Sequence, residues 1–428
     1  SSKLIYTQVE YSKNSGIYCY GYGKVLIDHC KINDNFGWNG AGISLSFNPI
    51  NITNTDIYNN HATNAGGGIY INGNNNISAN IAQNNIYNNQ SDAIGGGCYL
   101  NNINLTLNNN SIHHNDAVLG AGIGMMFGSP TIINNTFTNN FTTSASGKGG
   151  GLYLDDCDAN IVNNLFANNN SMGGAAISMT NGSNPLVVNT TISKNFSQNT
   201  STISLGFGSD PLFKNTIFYG NYNGNGKEFY LGNSECDPIF DHCDLQGGIN
   251  ALGGPGSGTN YDPTNFIAII DTDPLFVAPS TGAGTGYDGL SANWQLQSSS
   301  PCINAGDVTG IFDLLPALDL AGNPRINGII DMGAYEYGCT PVPVSVNIVV
   351  DNNAVCAGTS VTFTAIPTNG GTSPTYQWKK NGSNVGSNST TYSYIPVNGD
   401  VITCVLTSNL TCVTGNPATS NAITMTVN

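Results

Sequence analysis

Charge is scarce in this 428-residue chain. Asp, Glu, Lys and Arg make up 9% of it, with only 11 Lys and Arg against 26 Asp and Glu. At a net charge of −15 there is no basic patch to neutralise phosphates, which argues against nucleic acid as a partner. Anionic polymers such as pectin or alginate are repelled overall. No apolar run approaches the ~18 residues of a membrane-spanning helix. The 11 cysteines are dispersed and no CxxC occurs, which argues against zinc. No segment sustains a 3.6-residue apolar pattern, so helix-bearing repeats fit poorly. The chain lacks an N-terminal Met and a signal peptide, and repeat-like sequence (Val25 to Cys30) begins soon after Ser1. It is therefore expected to be a processed product or a piece of a longer chain, since a solenoid needs capped ends.

What is abundant is a repeat. A glycine-led block returns about every 26 residues: Gly16-Ile17-Tyr18-Cys19-Tyr20, Gly42-Ile43-Ser44-Leu45-Ser46, Gly68-Ile69-Tyr70-Ile71-Asn72, Gly97-Cys98-Tyr99-Leu100-Asn101 and Gly151-Leu152-Tyr153-Leu154-Asp155. Each block alternates apolar and polar, the pattern of a half-buried strand. An Asn-rich signature follows in each period, as in Asn85-Ile86-Tyr87-Asn88-Asn89, Asn135-Thr136-Phe137-Thr138-Asn139-Asn140 and Asn164-Leu165-Phe166-Ala167-Asn168. A third short run, such as Asn160-Ile161-Val162-Asn163, lies between the two. Three strands per coil predict an all-β fold, a right-handed parallel β-helix with coils ~4.8 Å apart. Gly68, Gly97 and Gly151 are expected to serve tight corners. Asn88, Asn139 and Asn168 are expected at corners, where stacked Asn side chains can bond to their copies above and below. Cys19 and Cys98 fall on inward positions, as small hydrophobes.

The coils are expected over residues 1–250, with Phe229-Tyr230-Leu231 in register, before a Gly-rich break at Gly247 to Gly258. Residues 251–340 are expected to form irregular C-terminal coils and a cap. Four elements lie there: Asp273-Pro274-Leu275-Phe276, Ser300-Pro301-Cys302 running to Asp307, Asp319 to Ile326, and Asp331-Met332-Gly333-Ala334-Tyr335-Glu336-Tyr337. They resemble the C-terminal module of secreted bacterial β-helix proteins of the choice-of-anchor or polysaccharide-lyase-like kind. The resemblance implies a secreted or cell-surface location and no particular chemistry.

Residues 341–428 read as a β-sandwich of short alternating strands with turns at Asn381-Gly382 and Asn398-Gly399. Trp378 and Cys404 resemble the strand C tryptophan and strand F cysteine of Ig-like domains, with Phe363 where the strand B cysteine would stand. The segment is similar to Ig-like modules of large surface proteins of the Bacteroidetes, which implies export by type IX secretion. Candidate bridges are Cys236 with Cys243, Cys302 with Cys339, and Cys356 with Cys412, none fixed by the sequence alone.

For function, the outward positions of the glycine-led strand form the candidate face. Tyr18, Tyr70, Tyr99 and Tyr153 share one column of it and are the ligand-binding candidates; mutual stacking is the structural alternative. No Lys or Arg falls on the face, so uronate β-elimination lacks its cation. Asp155, Asp156 and Asp158 form the one acidic cluster nearby. A catalytic or Ca2+-binding role is weighed for them against that of solvated turn acids, which is preferred. Asp155 is expected between Met126 and Thr180, not beside a second carboxylate as inverting hydrolysis needs. His113, His114 and His29 read as structural, and Asp237, Asp241 and Asp244 lack Ca2+-loop spacing. No metal or cofactor is expected. The resulting expectation is a non-enzymatic extracellular rod for adhesion, display or end-to-end assembly, with a glycan or protein partner. The alternative is an enzyme acting on a neutral glycan at the Tyr/Asp155 face.

Overall fold

The computed structural model describes residues 2–74, 79–258, 262–338, 342–410 and 413–428. They form two compact units, one ending at Tyr337 and one spanning Gly338–Asn428.

In the first unit Ile43–Ser46, Ile50–Thr53, Asp56–Tyr58 and His61–Ala65 make one coil. Ile69–Asn72 then pairs in parallel with Ile43–Ser46. Repetition builds four parallel sheets. Sheet I is the glycine-led one, 10 strands from Ile17–Tyr20 to Leu252–Gly253. Sheet II has 11 strands, from Ser2–Ile5 to Phe266–Ile267. Sheet III has 10, from Gln8–Glu10 to Asp244–Leu245, and sheet IV has 8, from Phe36–Asn39 to Tyr222–Asn223. The expected three strands per coil thus become four. The fourth is only two residues long in most coils, too short to show an alternation. Inward Ile, Leu, Val and Phe side chains from sheets I, II and III stack into one continuous core.

The Asn-Asn pairs divide the work of a corner between two residues. The first takes the left-handed conformation: Asn59, Asn88, Asn139 and Asn168 all have φ between 52° and 57°. The second points inward. Asn60, Asn89, Asn140 and Asn169, with Asn35, Asn115, Asn195 and Asn221 at the same place after Asp34, His114, Lys194 and Gly220, form a ladder in which each Nδ2 donates to the next Oδ1 at 2.9–3.0 Å. The other Nδ2 proton goes to a backbone carbonyl of the preceding coil, such as Ile57 for Asn89. A second ladder, Asn84, Asn110, Asn135 and Asn164, lines the corner between sheets II and III. Backbone polar groups that the corners leave over are thereby satisfied inside the stack. Gly68, Gly97 and Gly151 serve the corner by close approach: a Cβ on Gly68 would lie 2.6 Å from the Gly97 carbonyl oxygen.

The first ladder ends on a carboxyl group. Asn221 Nδ2 donates to Glu228 Oε1 at 2.7 Å, and Asn223 Nδ2 to Oε2 at 3.2 Å. Burial pushes the Glu228 pKa up to about 7, against the lowering effect of bonds from Thr202, Asn223 and Asn221. The folded state therefore holds a proton that the unfolded chain releases near pH ~4.3. Stability from this group is complete in acid and is lost as pH climbs from ~4.3 through about 7. Glu228→Gln is expected to flatten the pH dependence of thermal unfolding across that window. A slope unchanged from the parent protein would refute the assignment.

Residues after the last coil do not continue the stack. Short 3-10 turns at Gly248–Ala251, Pro255–Gly258 and Pro263–Asn265 close it. The chain from Asp271 to Tyr337, expected to be part of the cap, instead runs back along the flank of the rod. Phe276, Trp294, Leu296, Cys302 and Met332 pack on Leu165, Ala167 and Ile217 of sheet III. Ile311 packs on Val162 and Val188 of sheet II. Arg325, fully buried, pairs with Glu336 at 3.1 Å and donates to Asn163 Oδ1 at 3.0 Å.

The proposed Cys236–Cys243 bridge does not form. Both are free thiols: Cys236 bonds to Asn233 Oδ1, and Cys243 faces the core beneath the Phe213 carbonyl. Cys302 is a buried thiol on Asp244 and Cys356 an exposed one. Their candidate partners, Cys339 and Cys412, lie outside the described residues.

The second unit contains a 3-stranded and a 5-stranded antiparallel sheet around one core. Trp378 sits at its centre, fully buried, in register with Cys404 on the neighbouring strand of the 5-stranded sheet. Phe363 of the other sheet packs against it at 6.2 Å, and its indole N–H donates to the Ser389 carbonyl.

Candidate ligand-binding face

On sheet I, register aligns Tyr18, Ser44, Tyr70, Tyr99, Gly124, Tyr153, Ser178, Ser204 and Tyr230 in one outward column. Tyr70 and Tyr99 stack as expected, ring centroids 5.5 Å apart. Two of the four candidate tyrosines are nevertheless inaccessible: Tyr99 is 9% exposed and Tyr153 8%. Gly124 lies between them, and the side chain of Ile94 comes within 2.5 Å of where its Cβ would be. Burial pushes both phenols up to about 12. Contact with a ligand is thus left to Tyr18, which is 68% exposed, and half-buried Tyr70.

These two belong to a shallow groove of about 490 Å³ with Asn14, Ser15, Tyr20, Trp38, Asn39, Ser44 and Ser46. Tyr20 and Trp38 are as open as Tyr18. Among the described residues no charged side chain lines the groove. Trp38, Asn39 and Asn14 escaped sequence reasoning because they come from sheet IV and the loop before sheet I. The readable signal was an exposed aromatic at an outward position of Phe36-Gly37-Trp38-Asn39.

At the other end of the same face, a hollow of about 200 Å³ is lined by residues including Ser178, Thr180, Ser204, Tyr230 and Lys148. Lys148 enters from the bridge column between sheets IV and I, so the face does border a cation. The glycine-led strands alone could not reveal it.

The acidic cluster is built into corners. Asp155 lies between Met126 and Thr180, and its Oδ1 accepts from Asn181 Nδ2 at 2.6 Å. Asp156 is the left-handed corner residue, φ 50°. Asp158 Oδ1 accepts the backbone N–H of Asn184 at 2.8 Å, a pattern that Asn184 and Asp210 repeat one coil on.

Asp237, Asp241 and Asp244 do not converge: their partners are Asn265, Lys214 and Thr272 respectively. Asp241, His242 and Asp307 do gather their ligand atoms within 4.8 Å of one another. Lys214 Nζ, however, stands 2.6 Å from both Asp241 and Asp307. An ammonium thus already supplies the positive charge that a metal would bring, and its hydrogen bond holds Asp307 down to about 2. His113 stacks on Tyr87 at 5.1 Å and bonds through Nε2 to Asn85; burial pushes its pKa down to about 4.

Residues 1–166 match a protein family described as right handed beta helix region. No curated protein matches the chain.

Proposed function

With the chain taken as a right-handed parallel β-helix protein, we propose that it is a non-enzymatic, extracellular adhesive rod that holds a neutral saccharide chain in the Tyr18/Trp38 groove. The observation that carries this reading is the groove's lining: open aromatic rings beside Asn and Ser side chains, with no charge among the described residues. Rings take the C–H faces of sugars, while carboxamides and hydroxyls take their hydroxyl groups. In a protein of net charge −15, an uncharged groove favours an uncharged chain. A purely binding role is supported by the acids of the same face. Asp155 and Asp158 are held as hydrogen-bond acceptors between coils, not as a facing pair. The second unit, with Trp378 against Phe363 and Cys404, is read as an Ig-like module of the type IX secretion cargo kind.

A panel of neutral oligosaccharides and polygalacturonate, titrated against the full chain, tests this. Binding is expected for a neutral member only, and Trp38→Ala or Tyr18→Ala should each weaken it about tenfold, the effect of ~1.4 kcal/mol. Cleavage of any glycan that disappears on Asp155→Asn would overturn the reading in favour of an enzyme.

A further inference from the structure

Sheet III is covered along only part of its length, and the covered part shows how this protein holds a polypeptide. Where the flank lies on it, left-handed corner asparagines grip the flank's backbone. Asn215 donates to the Asp307 carbonyl at 2.9 Å and accepts the Asp307 N–H at 2.8 Å. Asn139 donates to the Tyr287 carbonyl at 2.6 Å and accepts the Gly289 N–H at 3.0 Å. Such pairing reads the donor and acceptor of a peptide backbone without regard to its side chains. Close approach demands glycine in places: a Cβ on Gly289 would lie 2.7 Å from Asn168 Oδ1.

Nearer the N-terminal coils, the same corner positions recur with nothing upon them among the described residues. Gln83 and Asn109 on one side, Asn59 and Asn88 on the other, keep the left-handed backbone, φ 52–58°. All four are exposed, and none of their carboxamides has a hydrogen-bond partner among the described residues. Between the two rows Tyr58 and Tyr87 stack nearly parallel, 4.9 Å apart. The carboxylates of Glu10, Asp34 and Asp56 act on the Tyr58 end and outnumber the Lys31 ammonium, which stands in register beside Asp56, so this end carries net negative charge.

We propose that this uncovered stretch of sheet III is a docking trough for an extended, glycine-containing, basic polypeptide segment of a partner protein, gripped by the same carboxamide-to-backbone pairing that fixes the flank. The occupant is polypeptide because the free carboxamides repeat a geometry already paired with backbone amides. It is basic because the trough's outer end carries carboxylates.

Random 12-residue peptides displayed on phage, panned on the full chain, test the proposal. The variant Asn59→Gly/Asn88→Gly/Asn109→Gly removes three carboxamides while glycine keeps the corner conformation. Enriched peptides are expected to carry Gly with Lys or Arg. In fluorescence titration they should bind the triple variant at least about tenfold more weakly. Trp38→Ala, in the saccharide groove, should leave them unaffected, which separates this trough from the function proposed above. Failure to enrich any peptide, enrichment indifferent to the triple variant, or displacement by a neutral oligosaccharide would each overturn the proposal.

Discussion

Asn140→Asp is expected to open the middle of the coil stack at neutral pH and to be tolerated far better in acid. Asn140 is fully buried, and its Nδ2 donates to the Ile112 carbonyl at 2.9 Å and to Asn169 Oδ1 at 3.0 Å. An aspartate there turns both donated bonds into contacts between unprotonated oxygens, and it buries a charge with no cation in the ladder. A cost of about 3–5 kcal/mol follows from the loss of buried partners. Protonation returns one donor, so the folded state raises the pKa of the introduced acid. The deficit is therefore smallest below the unfolded value of ~3.9 and grows as pH rises through the raised folded value. Asn140→Ala should cost ~2–4 kcal/mol without that pH dependence. Urea unfolding of both variants at pH 4 and pH 8, with hydrogen exchange at the Asn115 and Asn140 amides, reads the difference. Equal stability of Asn140→Asp and the parent at pH 8 would count against the ladder as a source of cohesion.

Arg325→Met should release the flank. The guanidinium bonds to Asn163 of the coil stack and to the Asp331 carbonyl, and it pairs with Glu336. Burial already pushes Glu336 up to about 7, against the pull of Arg325. Without Arg325 that carboxyl is left buried and unpaired, at a cost of about 3–5 kcal/mol. Loss should be greatest above pH ~7, where the group must ionise, and smaller at pH 5. Because Phe276, Trp294 and Met332 leave sheet III together, cleavage by a broad-specificity protease between Asp271 and Tyr337 is expected to rise about a hundredfold or more. The coils should stay protected, and adding Glu336→Gln should restore part of the loss. A cleavage pattern at pH 8 identical to the parent's would refute this role.

Much of the rod is readable from spacing alone. The inward anchors Ile43, Ile69, Cys98, Ile123 and Leu152 stand where their period puts them, and the neighbours of Asp155 follow from it. What escapes is whatever covers an outward face. Tyr99 and Tyr153 face outward yet are buried, and the side chain of Ile94, from the next column, fills the place at Gly124 between them. The flank left a trace that alternation hides. Outward positions of sheet III are Asp56, Tyr58 and Asn85 in early coils but Leu165, Ala167 and Ile217 later, an apolar change that calls for a cover. The Asn pairs look equivalent in sequence, yet Asn139 makes the bend and Asn140 the bond, a distinction of backbone angle.

The one-way ladder bears on how such a chain changes length. Any coil that offers an inward asparagine above and below matches its neighbours, so a duplicated unit can be spliced in without creating a new kind of contact. The clasped coils are not free in this way, since an insertion there would pull Asn139 and Asn215 out of step with Gly289 and Asp307. Growth and shrinkage are therefore confined to the coils before the clasp, in increments of ~4.8 Å. Each increment lengthens the sheet III trough by one more pair of corners, so reach and contact area would evolve together.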